Sequence, residues 1–270
     1  MKSRLTGGYV RNVKLVIAYD GTEFHGFAVQ RGLRTVQGVL NETLSRLAGH
    51  PVSVTGAGRT DAGVHAQAQV VNFDARDWPC PVQRMPLALN SLLPADLAVT
   101  AAEEVPPGFH ARRSARDKTY VYTVYNRPVR SPFWGRYSHH VGPPLDTGAM
   151  ARAAAYLAGV HDFAAFQAAG RPVVSTVRHL FRAAVEADDP LVRLTFCADG
   201  FLYKMVRMMA GTLVEVGRGK CLPEAVAGLL AAESGARGGP ALPPQGLCLT
   251  VVRYRETDPA SYEEKRGGFR

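Results

Sequence analysis

The 270-residue sequence is poor in cysteine, in lysine and in long apolar runs. Its four cysteines, Cys80, Cys197, Cys221 and Cys248, are scattered, with no C-x-x-C pair. That spacing argues against a disulfide framework and against a zinc site, and it suits a reduced, cytoplasmic setting. No apolar stretch approaches the roughly 18 residues that a membrane span needs. The opening Met1–Lys14 has no apolar core of signal-peptide length, so secretion is not expected. Several catalytic patterns are missing as well: G-x-x-x-x-G-K-[ST], a G-x-G-x-x-G after a strand, G-x-S-x-G, and the H-x-E with P-C-x-x-C of zinc deaminases. His65 is followed by Ala66-Gln67, and Pro79-Cys80 lacks a second cysteine. Cofactor-free chemistry by a carboxylate remains open. With 46% hydrophobic and 20% charged residues the chain is globular rather than disordered.

Positive charge is what the sequence has in excess. Lys+Arg number 32 against 23 Asp+Glu, a net charge of +9, and 26 of the 32 basic residues are Arg. Arginine forks onto phosphate and stacks on bases, so the bias suits a nucleic-acid partner. A GC-rich genome would also favour Arg over Lys, but it would not produce the net charge. Between Phe109 and His140 lie seven basic residues and a single acid, Asp117, interleaved with Tyr120, Tyr122, Tyr125, Phe133, Trp134 and Tyr137. Such a mixture can hold both backbone and bases; a solvated loop after a packed strand would read the same way.

The hydrophobic periodicity predicts two similar halves. In the first, Val13–Tyr19 is a strand, and Thr35 caps a helix that Gly49 stops. Pro51–Gly56 is a short strand. Val64–Phe73 is a longer one, with His65, Gln67 and Gln69 on one face. Val82–Leu93 is helical despite Pro86, and Leu97–Val105 returns as a strand. In the second half, Thr119–Tyr125 is a strand and Asp146 or Thr147 caps a helix to about Leu157. Thr176–Glu186 and Leu191–Cys197 form a hairpin, Phe201–Val216 a long helix, Pro223–Ala232 an inserted helix, and Leu247–Arg255 the last strand. Each half reads β-α-β-β-α-β, the ferredoxin-like order. The expected fold is therefore α+β: two ferredoxin-like halves, residues 12–110 and 111–256, forming a continuous, mostly antiparallel sheet with a central active-site cleft. Residues 1–11 and 257–270 are expected to be loose ends.

The sharpest local feature is Gly56-Ala57-Gly58-Arg59-Thr60-Asp61-Ala62-Gly63-Val64-His65-Ala66. Glycines let the backbone bring a carboxylate to the lip of a sheet. A cation two residues away keeps that carboxylate ionised and nucleophilic. A hairpin turn in which Asp61 merely caps backbone amides fits the same residues.

The chain resembles the TruA family of tRNA pseudouridine synthases, from about Val13 to Tyr254. The resemblance is carried by Tyr19-Asp20-Gly21-Thr22-Glu23-Phe24, Thr35-Val36-Gln37-Gly38, the Gly58–Ala66 block, Leu89-Asn90-Ser91-Leu92-Leu93-Pro94, Phe109-His110-Ala111-Arg112, His161-Asp162-Phe163, and Phe201-Leu202 with Met205-Val206-Arg207. One departure is visible: Gly26-Phe27-Ala28 stands where the family usually has Gly-Trp-Gln. The resemblance implies isomerisation of uridine to pseudouridine in the tRNA anticodon arm, at tRNA positions 38, 39 and 40, without cofactor or metal. It further implies a homodimer whose tRNA touches both subunits, and no membrane. Residue by residue it makes Asp61 the nucleophile and Arg207 the basic partner of that carboxylate. Tyr120 becomes the aromatic that stacks on the uracil, Leu247 an apolar wall of the base pocket, and Arg59 the side chain that fills the space left by a flipped base. Phe109, His110, Ala111, Arg112 and Arg113, with Gln167, Ala168, Ala169, Gly170 and Arg171, match segments that touch tRNA. Read without the resemblance, Tyr120 is a strand-core aromatic, Leu247 is core, and Arg207 is a helix-surface charge set oddly among Met205, Val206, Met208 and Met209. A non-catalytic RNA-binding protein of the same fold is the alternative, though binding alone does not require Arg59, Asp61, Tyr120 and Arg207 together.

If six or more phosphates are engaged, tRNA affinity falls roughly 10³-fold or more between 50 and 200 mM salt. Replacing Arg112 and Arg113 by Ala flattens that dependence, as a binding titration across salt concentrations would show; an unchanged slope would place both residues away from the RNA.

Overall fold

The computed structural model describes residues 11–76, 78–170, 173–231, 235 and 237–255. The termini expected to be loose fall almost wholly outside this set, as does Arg171. The first half runs β1 (Asn12–Tyr19), α1 (Val36–Ala48), β2 (Thr55–Gly56), β3 (His65–Asp74), α2 (Met85–Asn90) and β4 (Leu97–Val105). The second runs β5 (Ala115–Asn126), β6 (His139–Val141), α3 (Thr147–Leu157), β7 (Gly159–Asp162), β8 (Val177–Asp188), β9 (Leu191–Ala198), α4 (Met205–Gly217), α5 (Ala225–Ala231) and β10 (Leu247–Tyr254).

Local chemistry sets these boundaries. Thr35 is extended and its hydroxyl accepts the Gly38 N–H, so α1 begins there, and Gly49, left-handed at φ 74°, ends it. Asp146 does the same for α3 by accepting from Ala149 N–H. Pro86 sits in the first turn of α2, where its missing N–H costs nothing. The helix predicted from Phe201 starts only at Met205, because Lys204 adopts a left-handed φ of 58°. The strand predicted over Pro51–Gly56 shrinks to Thr55–Gly56, and the short β6 and β7 leave no periodicity to read.

All ten strands join one sheet, ordered β4-β1-β3-β10-β5-β9-β8-β7, with β2 against β3 and β6 against β5. Corresponding strands have corresponding neighbours: β4-β1-β3-β2 in one half, β10-β5-β9-β8 in the other. Ladders are antiparallel except β5–β6 and the junction of the halves, where β10 runs parallel to β3 through Cys248↔His65 and Leu249↔Ala66. That junction exists because β2 is so short. It covers only Asn72 and Val71 of β3 and leaves the start of the strand open to β10.

The main core packs the helices on one face of the sheet, and α4 is buried almost all round, as its run of apolar residues demands. A second, smaller cluster of Ala57, Val70, Val105, Phe109, Ala111 and Tyr254 covers part of the other face. Under it lies the buried Lys14, ion-paired with Glu103 and set beneath the Phe109 and Tyr254 rings at 5.9 and 5.4 Å. Among the described residues no helix is long and apolar enough to cross a membrane. Thr35→Ala removes the α1 cap and should cost about 1 kcal/mol, read as a melting temperature a few degrees lower with the fold unchanged by circular dichroism.

Candidate active site

The carboxylate Asp61 hangs in the turn between β2 and β3. After Ala57, whose N–H still bonds to Val70, the chain leaves the sheet and is held from several sides. Gln69 donates to the Gly58 carbonyl at 3.0 Å, and the Phe27 N–H to the Thr60 carbonyl at 3.1 Å. The Tyr19 and Thr60 hydroxyls meet at 2.9 Å, and the Gly63 N–H reaches the Phe24 carbonyl at 3.2 Å. Two glycines are fixed by geometry. A Cβ on Gly21 would lie 2.0 Å from the Val64 carbonyl oxygen, and Gly63 combines φ +76° with a would-be Cβ 2.8 Å from Pro244. Phe27 is buried against Gly56 and braces the turn through its backbone.

The other half supplies the cation. Arg207, in the first turn of α4, donates from Nη1 to Asp61 Oδ2 at 3.0 Å and from Nε to the Leu242 carbonyl at 2.6 Å. The side chains are 12% exposed for Arg207 and 27% for Asp61, so the pair is shielded but reachable. This answers the oddity of a charge among buried methionines: the partner lies 146 residues away in sequence. Asp61 Oδ1 accepts no hydrogen bond from the described residues. Tyr120 on β5 is buried, its ring edge-on to Phe201 at 5.2 Å. Burial, with Tyr19 and Asp61 near, pushes its phenol far above the ordinary range, so it stays neutral. Leu247 opens β10 opposite Tyr122, whose hydroxyl fixes the preceding turn by donating to the Pro243 carbonyl at 2.8 Å.

The sequence-matched RNA segments divide by exposure. Phe109 and Ala111 are buried in the smaller cluster, held by Asn12 and Asn72. The His110 ring accepts the Arg112 and Arg113 N–H groups, so only those two arginines project. Gln167, Ala168, Ala169 and Gly170 follow a short helical turn beside Tyr203, with the Ala168 N–H on the Tyr203 carbonyl at 3.1 Å. Arg59 is exposed next to Asp61.

Tyr19, Gln69 and His65 also shape the site, and periodicity misread the last two. The alternation put His65 and Gln69 on one face with the exposed Gln67, yet both are buried, Gln69 beneath the turn at Gly58 and His65 beneath the loop at Arg136. A polar residue recurring inside a central strand was the available signal. His65 Nδ1 accepts the Gly21 N–H at 3.0 Å, and its Nε2 faces the Arg136 carbonyl at 3.2 Å. Asp20 gathers the Thr22 and Tyr137 hydroxyls and the Arg136 guanidinium. Together they clamp the 127–138 loop of the second half onto the first.

A family profile described as tRNA pseudouridine synthase matches residues 15–112 and 153–255. The chain belongs to that family. It is 51% identical over 244 residues to the tRNA pseudouridine synthase A of Moorella thermoacetica, covering 90% of this chain and 99% of that one. To the proteins of the same name from Ruminiclostridium cellulolyticum and Geobacter sulfurreducens it is 43% and 42% identical, over 91% of this chain and the whole of each relative. Members of the family are isomerases that convert uridine to pseudouridine, and the chain is one of them.

Burial holds His65 below the usual imidazole range, against the pull of Asp20. Protonation would also place an N–H against the Gly21 N–H. A base depressed in the folded state gives stability that is full above its unfolded value, about 6.5, and is lost as pH falls below it. Denaturation midpoints should therefore drop between pH 7.5 and 5.5. His65→Asn, whose amide oxygen can take the Gly21 N–H without titrating, should narrow the drop and leave the part due to His139 and His110, which burial also depresses.

Proposed function

We propose that the enzyme isomerises uridines of the tRNA anticodon arm, at tRNA positions 38, 39 and 40, with Asp61 as the nucleophile. The observation that carries the reading is the Arg207–Asp61 pair. It keeps one carboxylate oxygen occupied by a cation and leaves Oδ1 for the target nucleotide. In the reaction the N1–C1′ bond breaks, the uracil turns, and C5 joins C1′. The proton lost from C5 is balanced by one gained at N1, so nothing is consumed. A paired uridine must first leave the stack, at a cost of a few kcal/mol. Arg59, exposed beside Asp61, is placed to fill the gap. Tyr120, neutral and buried, offers a stacking face or an O–H donor but no phenolate. Leu247 supplies an apolar wall.

In this reading residues 12–110 carry the carboxylate, and residues 111–256 carry its cation and much of the RNA surface. Arg112 and Arg113 hold phosphates together with the 167–171 segment. The enzyme works in the cytoplasm as a homodimer, with one tRNA spanning both subunits.

Pseudouridine mapping on bulk tRNA treated with the pure protein should mark positions 38–40; marks confined elsewhere would reassign the substrate. Asp61→Asn keeps the shape but removes the anion. In single-turnover assays it should lose at least about 10³-fold in rate, with fold and tRNA binding kept, since phosphate contacts supply most of the affinity. A folded Asp61→Asn of full activity would remove the nucleophile. Binding lost in step with rate would make Asp61 a capping residue.

A further inference from the structure

The proposed chemistry leaves Lys118 unused. It precedes Tyr120 by two residues on β5, so both side chains leave the same face of the sheet. Lys118 is only 9% exposed. Its Cε and Cδ lie 3.7 and 3.8 Å from where a Cβ on Gly58 would stand, so the stem runs along the turn that carries Arg59 and Asp61. Among the described residues nothing hydrogen-bonds or ion-pairs with its ammonium. The neighbouring carboxylates are engaged elsewhere. Asp117 lies 3.3 Å from Arg253 and 3.8 Å from Arg116, and Asp199 accepts the His179 N–H at 3.2 Å. Arg112 is the nearby charge that repels it. Burial first, and then the Arg112 guanidinium, hold Lys118 below the ordinary lysine range, while Asp199 and Asp117 pull the other way. Arg112 itself is exposed, with no side-chain partner among the described residues.

The stem of Lys118 is enclosed while its ammonium reaches the surface, and a cation held there without a counter-ion, with a second cation near it, is costly. Such an arrangement is complete only when an anion arrives, and RNA brings one with every nucleotide. We propose that Lys118 and Arg112 form a seat for an RNA backbone phosphate beside the Gly58–Asp61 turn, fixing the strand once the target uridine has left the stack. The seat rests on the pseudouridine synthase reading, because it needs RNA in this cleft. Lys118 is then a positioning residue. It holds a phosphodiester and exchanges no proton with the base.

The test uses anticodon stem-loop RNAs in which one uncharged methylphosphonate replaces the phosphodiester on the 5′ or the 3′ side of the target uridine. On the wild-type enzyme one of the two replacements should lower kcat/KM about tenfold to a hundredfold, the worth of a charge-assisted bond. On Lys118→Met the same replacement should cost nothing further. Lys118→Met should lose a similar factor on unmodified RNA and flatten the salt dependence of binding by roughly one phosphate. Its melting temperature should rise, because an unpaired, largely desolvated charge has become an apolar stem. A purely structural Lys118 would lower it. Should Lys118→Met not fold, Lys118→Gln takes its place in the same cycle. Methylphosphonates that cost wild type and variant alike, or that cost wild type nothing, would overturn the seat. A wild-type protein that makes no pseudouridine in any RNA would overturn the functional reading instead.

Discussion

One ion pair governs the arrangement of this molecule. Arg207 is enclosed by apolar neighbours in α4, and a guanidinium in such a place is tolerable only with its charge answered and its donors used. Asp61 answers the charge and the Leu242 carbonyl takes a further N–H. Each partner is also tied down by its own half. Asp61 sits in a turn sewn to β1 and β3, and Arg207 sits in the helix around which the second core is built. Gly211 and Thr212 of the same helix hold the 237–245 segment, a Cβ on Gly211 being excluded by the Pro240 oxygen at 2.0 Å and Thr212 Oγ1 accepting the Gly239 N–H at 2.7 Å. The same contacts that seat the cation therefore shape the approach to β10 and to Leu247 at its start.

The two halves meet in the sheet through very few residues. Only Cys248 and Leu249 pair with β3, and around this narrow seam the structure adds side-chain ties. The Arg207–Asp61 pair lies on one side, and the clamp of His65 and Asp20 on the 127–138 loop lies on the other. A seam held by a carboxylate that is also the proposed reactive group links the integrity of the site to the docking of the halves. Substitutions at the seam can then alter activity without touching either core.

Much of this was legible in the residues. Capping at Thr35 and Asp146, the stop at Gly49 and the alternation in β3 and β8 gave a repeated β-α-β-β-α-β order, and the sheet follows that order twice. The glycine-framed Arg59–Asp61 turn stood out for a physical reason, since few other sequences lift a carboxylate off a sheet edge. What stayed hidden depends on distance. No local pattern announces that Arg207 answers Asp61, that Gln69 is buried under the turn, or that Phe109 faces inward while Arg112 faces out. Nor could periodicity find β6 and β7, whose three and four residues are ordered by their neighbours rather than by themselves.

The position of β10 has a consequence for how the protein is made. The strand that joins the halves comes last among the described strands, so during synthesis the first half emerges with the start of β3 unpaired. An open edge of that kind invites pairing with other strands. Arg207 and the turn before β10 emerge late as well. The carboxylate turn is thus synthesised some 150 residues ahead of its cation, and the site assembles only after β10 has left the ribosome. A nascent first half can fold its own core early, yet it has no finished site with which to engage the tRNAs that surround it during translation.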